Sequence, residues 1–269
     1  MRVALSQMEA GIDKAANLAE ISAATGRAAG AGAQLIVFPE AAMLYSRDLD
    51  ARQLLAAERL DGPFGRRLAG LAAEHRIVIV CGVFEQAAGE SVYNTVVVYG
   101  ADGRRLGEYR KIHLFDAFDR RESDLVEAGE GDLLSFSVQG LTFGVMNAYD
   151  VRFPELAREL VVDRGAQVLL LPAAWVRGAL KEDHWEVLVR ARAIENTVYV
   201  LAADQVGQEC CGSSMIVDPM GVPLARGGET AQLVLGEVSA ERVREVRKTN
   251  PSLENRRLAS IVPDLVGGS

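Results

Sequence analysis

The sequence predicts an α/β protein, a four-layer α-β-β-α sandwich, on three observations. Short apolar runs with strand spacing alternate with longer segments whose apolar residues recur at helical spacing, the pattern of strand–helix–strand units. The run Gly32-Ala-Gln-Leu-Ile-Val-Phe-Pro39 is echoed by Gly165-Ala-Gln-Val-Leu-Leu-Leu-Pro172, each after a helical segment. The chain therefore reads as two similar halves, packed sheet against sheet with helices outside. Finally, Phe143 to Leu156 reads as a buried strand running into a tight polar turn and then a helix, which is where α/β proteins place chemistry.

The elements follow in order. Arg2 to Met8 alternates as a first strand, and Asp13 to Ala29 places Leu18, Ile21, Thr25 and Ala28 at helical spacing before Gly30 and Gly32. Ala33 to Glu40 is a continuous apolar run closed by Pro39, a fully buried strand that delivers the Glu40 carboxylate at its end. A helix over 64–76 leads to strands over 77–84, 93–99 and 106–110, the last two joined by the turn Ala101-Asp-Gly103. Lys111 to Glu122 loses periodicity and reads as a long loop, a kind of segment that often carries function. In the second half, Pro154 suits a first helical turn, and a helix over 153–164 precedes the strand at Gly165–Pro172. A helix over 181–196 is expected to bury Val187, Leu188, Ala191 and Ile194, followed by strands over 197–203, 213–217 and 232–238.

With 269 residues, one domain spanning 1–269 is expected, large enough to bury about three-quarters of its unfolded surface. Hydrophobic residues make up 49% and charged residues 25%, and no apolar run approaches the roughly 18 residues of a membrane span. The amino terminus enters a strand without signal-peptide features, so a cytoplasmic protein without a membrane partner is expected. Cys81, Cys210 and Cys211 have neither disulfide-framework nor metal-ligand spacing, and only three histidines are present. No metal or cofactor is expected. The formal charge of −8 comes without a concentrated basic patch, which argues against a nucleic-acid partner.

Taken singly, the candidate residues are weak. A glutamate after a strand-ending proline is usually a surface residue, a lysine in Arg110-Lys111 is usually solvated, and Glu122 could simply pair with Arg120 or Arg121. The order of the motifs changes this. Val37-Phe-Pro-Glu40, Tyr109-Arg-Lys-Ile-His-Leu-Phe115, Gly144-Val-Met-Asn-Ala-Tyr-Asp-Val-Arg-Phe-Pro-Glu-Leu156 and Arg190-Ala-Arg-Ala-Ile-Glu-Asn196 stand in the order, and cover nearly the whole length, of the nitrilase superfamily of carbon–nitrogen hydrolases, which the chain closely resembles. The resemblance implies the four-layer fold of that superfamily and a catalytic set of Glu40, Lys111, Glu122 and position 148. There the superfamily carries its nucleophilic cysteine, and this chain has Ala148.

The chemistry explains those residue types. A cysteine thiol is a poor nucleophile at neutral pH until a neighbouring base takes its proton, a role for Glu40. Attack on an amide leaves an oxyanion that Lys111 and the Tyr149 N–H could stabilise, and water activated by Glu40 then hydrolyses the thioester. Glu122 fits an orienting role, and Tyr149 and Trp175 are candidate pocket walls. Arg152, Glu155, Arg192 and Glu195 are expected as structural ion pairs, and His113 as a packed loop residue.

The resemblance implies an amidase for small aliphatic or ω-amides, present here as a Cys-to-Ala form at Ala148. Two alternatives stand beside it: a natural pseudoenzyme binding an amide-like metabolite, and a nitrilase. Tyr149-Asp150 after the nucleophile position resembles the amidase branches, where nitrilases carry Trp-Glu. A homodimer is implied as well, with the tail 249–269 lying at its interface.

Overall fold

A computed structural model describes residues 1–258. The first half comprises β1 (Arg2–Gln7), α1 (Lys14–Gly30), β2 (Leu35–Val37), α2 (Ala51–Ala56), α3 (Pro63–His75), β3 (Val78–Gln86), β4 (Val92–Tyr99), β5 (Arg105–Arg110) and the short β6 (Val126–Glu127). The second comprises β7 (Ser135–Val138), β8 (Leu141–Val145), α4 (Pro154–Val162), β9 (Val168–Ala173), α5 (Lys181–Asn196), β10 (Tyr199–Asp204), β11 (Met215–Val217), β12 (Pro223–Arg226), β13 (Gln232–Glu237) and α6 (Ala240–Thr249).

Two sheets result. One has the order β13-β1-β2-β3-β4-β5 with β6 beside β4, and the other the order β12-β11-β10-β9-β8-β7. In the first, β1, β2 and β3 are parallel and flanked by the antiparallel β13 and β4. In the second, β8, β9 and β10 are parallel and flanked by the antiparallel β7 and β11. The echo read in the sequence is thus a repeat of pairing as well as of residues.

Strand periodicity separates the layers. Val3, Leu5, Leu35, Val37, Val78 and Val80 face the other sheet and share a core with Phe143, Val145 and Val168. The intervening Ala4, Ile36, Ile79 and Cys81 face outward, against Ile21, Ala24 and Ala28 of α1 and Leu68, Leu71 and Ala72 of α3. On the far side, Leu156 and Leu160 of α4 and Trp185 and Val189 of α5 cover the second sheet. The order helix, sheet, sheet, helix is the four-layer sandwich the sequence predicts.

Local signals place the helices. Asp13 caps α1 by accepting the N–H groups of Ala15 and Ala16, and prolines open α3 and α4, where the missing N–H costs nothing. The expected inner face of α5 is wrong. Val187 and Ile194 are 55% and 47% exposed, and the helix instead buries Lys181, Trp185, Val189, Arg192, Ala193 and Asn196. The polar members can turn inward because they find partners: Arg192 Nε donates to Val151 O at 2.9 Å and Asn196 Nδ2 to Arg192 O at 3.0 Å. The sequence reading also omitted α2, β6, β7, β12 and α6, the last capped by Ser239 and packed through Val243 and Val246. Of the tail 249–269, residues 259–269 lie outside the described residues. Among the described residues no helix is long and apolar enough to cross a membrane.

One close approach positions the chain end of β2. Gly82 lets β3 pass the segment after β2, and a Cβ there would stand 2.6 Å from Glu40 Cα and 2.6 Å from Pro39 O. Gly82→Ala should therefore lower unfolding free energy by about 1–3 kcal/mol through backbone displacement. Gly70→Ala, in α3 with nothing within 4 Å of the added methyl, should raise it by about 0.5–1 kcal/mol. Urea titration of both variants checks the opposite signs.

Candidate active site

Glu40 follows β2 in a turn fixed by its surroundings. Phe38 N–H donates to Val80 O at 2.8 Å, Gly82 N–H to Pro39 O at 3.2 Å, and Ala41 adopts a left-handed φ of 54°. The Glu40 carboxylate is buried and accepts three hydrogen bonds, two on Oε1 and one on Oε2. Its Oε1 accepts from Lys111 Nζ and Asn94 Nδ2, both at 2.8 Å, and its Oε2 accepts from the Ala174 N–H at 2.9 Å.

Lys111 ends β5, where its own N–H donates to Asn94 O at 2.9 Å, and its side chain is 2% exposed. The loop after it folds back so that Glu122, at the start of a 3-10 turn, completes the cluster. Glu122 Oε2 accepts from Lys111 Nζ at 2.8 Å and from Phe115 N–H at 2.7 Å, while Oε1 accepts from Asn94 Nδ2 at 2.8 Å. Its partners are Lys111 and Asn94, with neither Arg120 nor Arg121 paired to it. Burial alone would drive the Lys111 ammonium down. The opposing charges of Glu122 and Glu40, with their hydrogen bonds, outweigh it and hold the pKa above the ordinary lysine value. Lys111 is a fixed cation.

Ala148 opens a second 3-10 turn, Ala148–Arg152, between β8 and α4. Its φ of 44° is left-handed, a conformation that costs a non-glycine residue roughly 1–2 kcal/mol. The turn is held by Asp150, whose Oδ2 accepts from the Asn147 N–H and from Tyr109 Oη, each at 2.8 Å. Asp150 Oδ1 lies 2.7 Å from His113 Nδ1, and the His113 ring stacks on Phe153 at 3.7 Å. Asn147 Nδ2 donates to Asn94 Oδ1 at 2.9 Å, so one side chain, Asn94, joins the turn of the second sheet to the charge cluster of the first.

Glu40, Lys111, Glu122, Ala148, Tyr149 and Trp175, the six site residues read from the sequence, line one cleft. Trp175 is 3% exposed, and its Nε1 donates to Lys181 O at 2.7 Å. Tyr149 packs edge-on against Phe115 and Phe153 with centroids 5.1 and 5.3 Å away. Asn94, Asp150 and Lys181 were missed by sequence reasoning. Of the expected ion pairs, Arg192 pairs with Glu195, whereas Arg152 lies over the Trp175 ring at 4.9 Å.

None of the three cysteines lines this cleft. Burial pushes all three thiols up, Cys211 to about 12 with help from Asp204, so none is poised as a thiolate. Among the described residues no group of three or more His, Cys, Asp or Glu is arranged to hold a metal ion. What the cleft offers chemically is a carboxylate and an ammonium on the same cleft as a strained 3-10 turn, a setting for attack on a carbonyl carbon.

The carbon–nitrogen hydrolase family pattern matches residues 2–248. The chain is 41% identical to a deaminated glutathione amidase of Escherichia coli over 226 residues, 84% of this chain and 85% of that protein. It is 30% identical to human omega-amidase over 267 residues, 95% of each. Among solved structures, the Caenorhabditis elegans NitFhit protein superposes with a TM-score of 0.88 at 30% identity, over 95% of this chain and 65% of that one. A cysteine-to-alanine mutant of an amidase from Nesterenkonia, in complex with butyramide, superposes with a TM-score of 0.77 at 29% identity, over 93% and 95%. On the match across 2–248 and the extent of these similarities, the chain belongs to the carbon–nitrogen hydrolase family, the nitrilase superfamily.

Proposed function

We propose that this fold is an amidase of small linear amides, acting through a cysteine thioester when cysteine stands at position 148, and that the chain with Ala148 binds the amide without turning it over. The observation that carries the reading is the Lys111 ammonium held at 2.8 Å from both Glu40 and Glu122, on the same cleft as Ala148. The amidase activities named for the relatives support it.

With a thiol at position 148, Glu40 takes its proton as sulfur attacks the carbonyl carbon. The negative charge moves to oxygen, where Lys111 and the Tyr149 N–H receive it. The C–N bond then breaks, the proton on Glu40 goes to the departing nitrogen, and ammonia and a thioester result. Glu40 next removes a proton from water, hydroxide attacks the thioester, and collapse releases the carboxylate and restores the thiol. Glu122 does not touch the reacting atoms in this scheme. It positions Lys111 and, through Asn94, the turn. Alanine supplies no electron pair, so the chain as it stands can go no further than binding.

The expected outcome is ammonia release from short amides by Ala148→Cys and none by the unaltered chain. In the Ala148→Cys background, Glu40→Gln and Lys111→Met should each lower kcat by at least roughly a hundred- to a thousand-fold. Alkylation of the restored thiol should abolish activity. A folded Ala148→Cys protein with a reactive thiol that cleaves no amide would leave the pseudoenzyme reading, and cleavage of nitriles alone would favour a nitrilase.

We further propose a homodimer formed through α5. Val187 and Ile194 are exposed there beside Met220, Val222 and Leu224, at 49%, 52% and 50%, and Arg190 Nε ties the helix to that turn by donating to Gly221 O at 2.9 Å. This apolar surface has the character of a subunit contact. Light scattering at micromolar concentration should give twice the 29.0 kDa chain mass, and Ile194→Glu with Val187→Glu should halve it. A monomer before mutation would count against the dimer.

A further inference from the structure

Lys181 is the one buried charged residue of the catalytic cleft left without an opposite charge among the described residues. It opens α5 and is 2% exposed, yet its Nζ has no hydrogen-bond or ion-pair partner among the described residues. Three rings surround the ammonium, Trp175 at 4.4 Å, Phe118 at 4.7 Å and Phe115 at 4.8 Å from their centroids. Aromatic faces offset part of the lost hydration but supply no full negative charge. Lys111, in the same cleft, shows what a satisfied cation looks like here, with two carboxylates at 2.8 Å. Burial, and then the neighbouring Arg152 charge, pull Lys181 down to about 8, so its ammonium is held at a cost that an incoming anion would remove.

The surroundings repeat the sign. The mouth beside Lys181 is lined by Arg47, Arg120 and Arg177 against Glu209, which Arg47 engages at 3.4 Å; Arg177 reaches Glu182 at 3.5 Å, and Arg120 has no acidic partner among the described residues. In a chain of formal charge −8 this is a local reversal, and a cleft lined by one sign of charge draws in ligands of the other. Lys181 and Ala148 line one cleft with the rings of Phe115, Tyr149 and Trp175, walls suited to methylene groups.

Resting on the amidase reading above, we propose that Lys181 is a specificity-determining residue, receiving a carboxylate carried at the far end of the substrate's acyl chain while the amide lies at Ala148. The preferred substrates are ω-amides of short dicarboxylic acids, and neutral amides of equal length are poor ones. Lys181 takes no part in bond making. Its effect falls on KM.

Two measurements separate this from the amidase reading. Calorimetry on the unaltered chain should show glutaramate binding roughly ten- to a hundredfold tighter than neutral valeramide, the difference a charge-assisted hydrogen bond supplies. Lys181→Met should erase that difference, and Lys181→Arg, which keeps the charge, should retain most of it. In the Ala148→Cys background, Lys181→Met should lower the ratio of kcat/KM for glutaramate over valeramide by a similar factor, through KM. Equal binding of the two ligands by the unaltered chain overturns the proposal even if Lys181→Met fails to fold. Preferential glutaramate binding with no hydrolysis by Ala148→Cys would overturn the amidase reading and leave the carboxylate subsite standing. Hydrolysis by Ala148→Cys with no preference between the two amides would do the reverse.

Discussion

The structure depends on keeping one ammonium, that of Lys111, out of water between two carboxylates. Isolated, each of these ions would cost several kcal/mol to bury, and removing one partner of such a set typically costs about 3–5 kcal/mol. The fold answers with a network of donors and acceptors around the three ions. Glu40 accepts from Lys111, Asn94 and the Ala174 N–H, and Glu122 from Lys111, Asn94 and the Phe115 N–H. These groups come from the end of β2, from β4, from the end of β5, from the loop after it and from the end of β9. Satisfying the charges therefore fixes where both sheets end relative to each other, and a buried network satisfied in this way specifies one arrangement.

The second constraint is the turn at Ala148. Asp150, with Tyr109, His113 and the Asn147 N–H, holds a left-handed non-glycine residue at the carboxyl end of β8, and Asn147 reaches Asn94 to join turn and charge cluster. Strain of roughly 1–2 kcal/mol at one position persists because the surrounding hydrogen bonds over-determine it. Placing a side chain of position 148 above the cleft, beside a fixed cation, is of use to a nucleophile and of little use to a methyl group.

How much of this was legible follows from what each residue needs. The parallel strands are buried on both faces and so read as plain apolar runs, and prolines and Asp13 mark helix starts, which is why the layers could be read from the chain. Glu40, Lys111 and Glu122 were legible through the order of their motifs, since nothing about a glutamate after Pro39 says that it is buried. Asn94 stands alone in the run Val92-Tyr-Asn-Thr-Val-Val-Val-Tyr99, and an asparagine inside a buried strand was the signal that went unused. The face of α5 was misread because hydropathy places Lys181, Arg192 and Asn196 outside, whereas their hydrogen bonds and aromatic contacts let them face in and leave Val187 and Ile194 in solvent. Polar burial depends on partners distant in sequence, and periodicity carries no information about them.

The most direct test is where an intact amide sits in the unaltered chain. A crystal structure with a short amide bound should show the carbonyl carbon over Ala148 Cβ. Its oxygen should lie within about 2.7–3.1 Å of both Lys111 Nζ and the Tyr149 N–H. An amide bound elsewhere, or one in the cleft with its carbonyl oxygen turned away from Lys111, would contradict the assignment of this charge cluster to carbonyl chemistry.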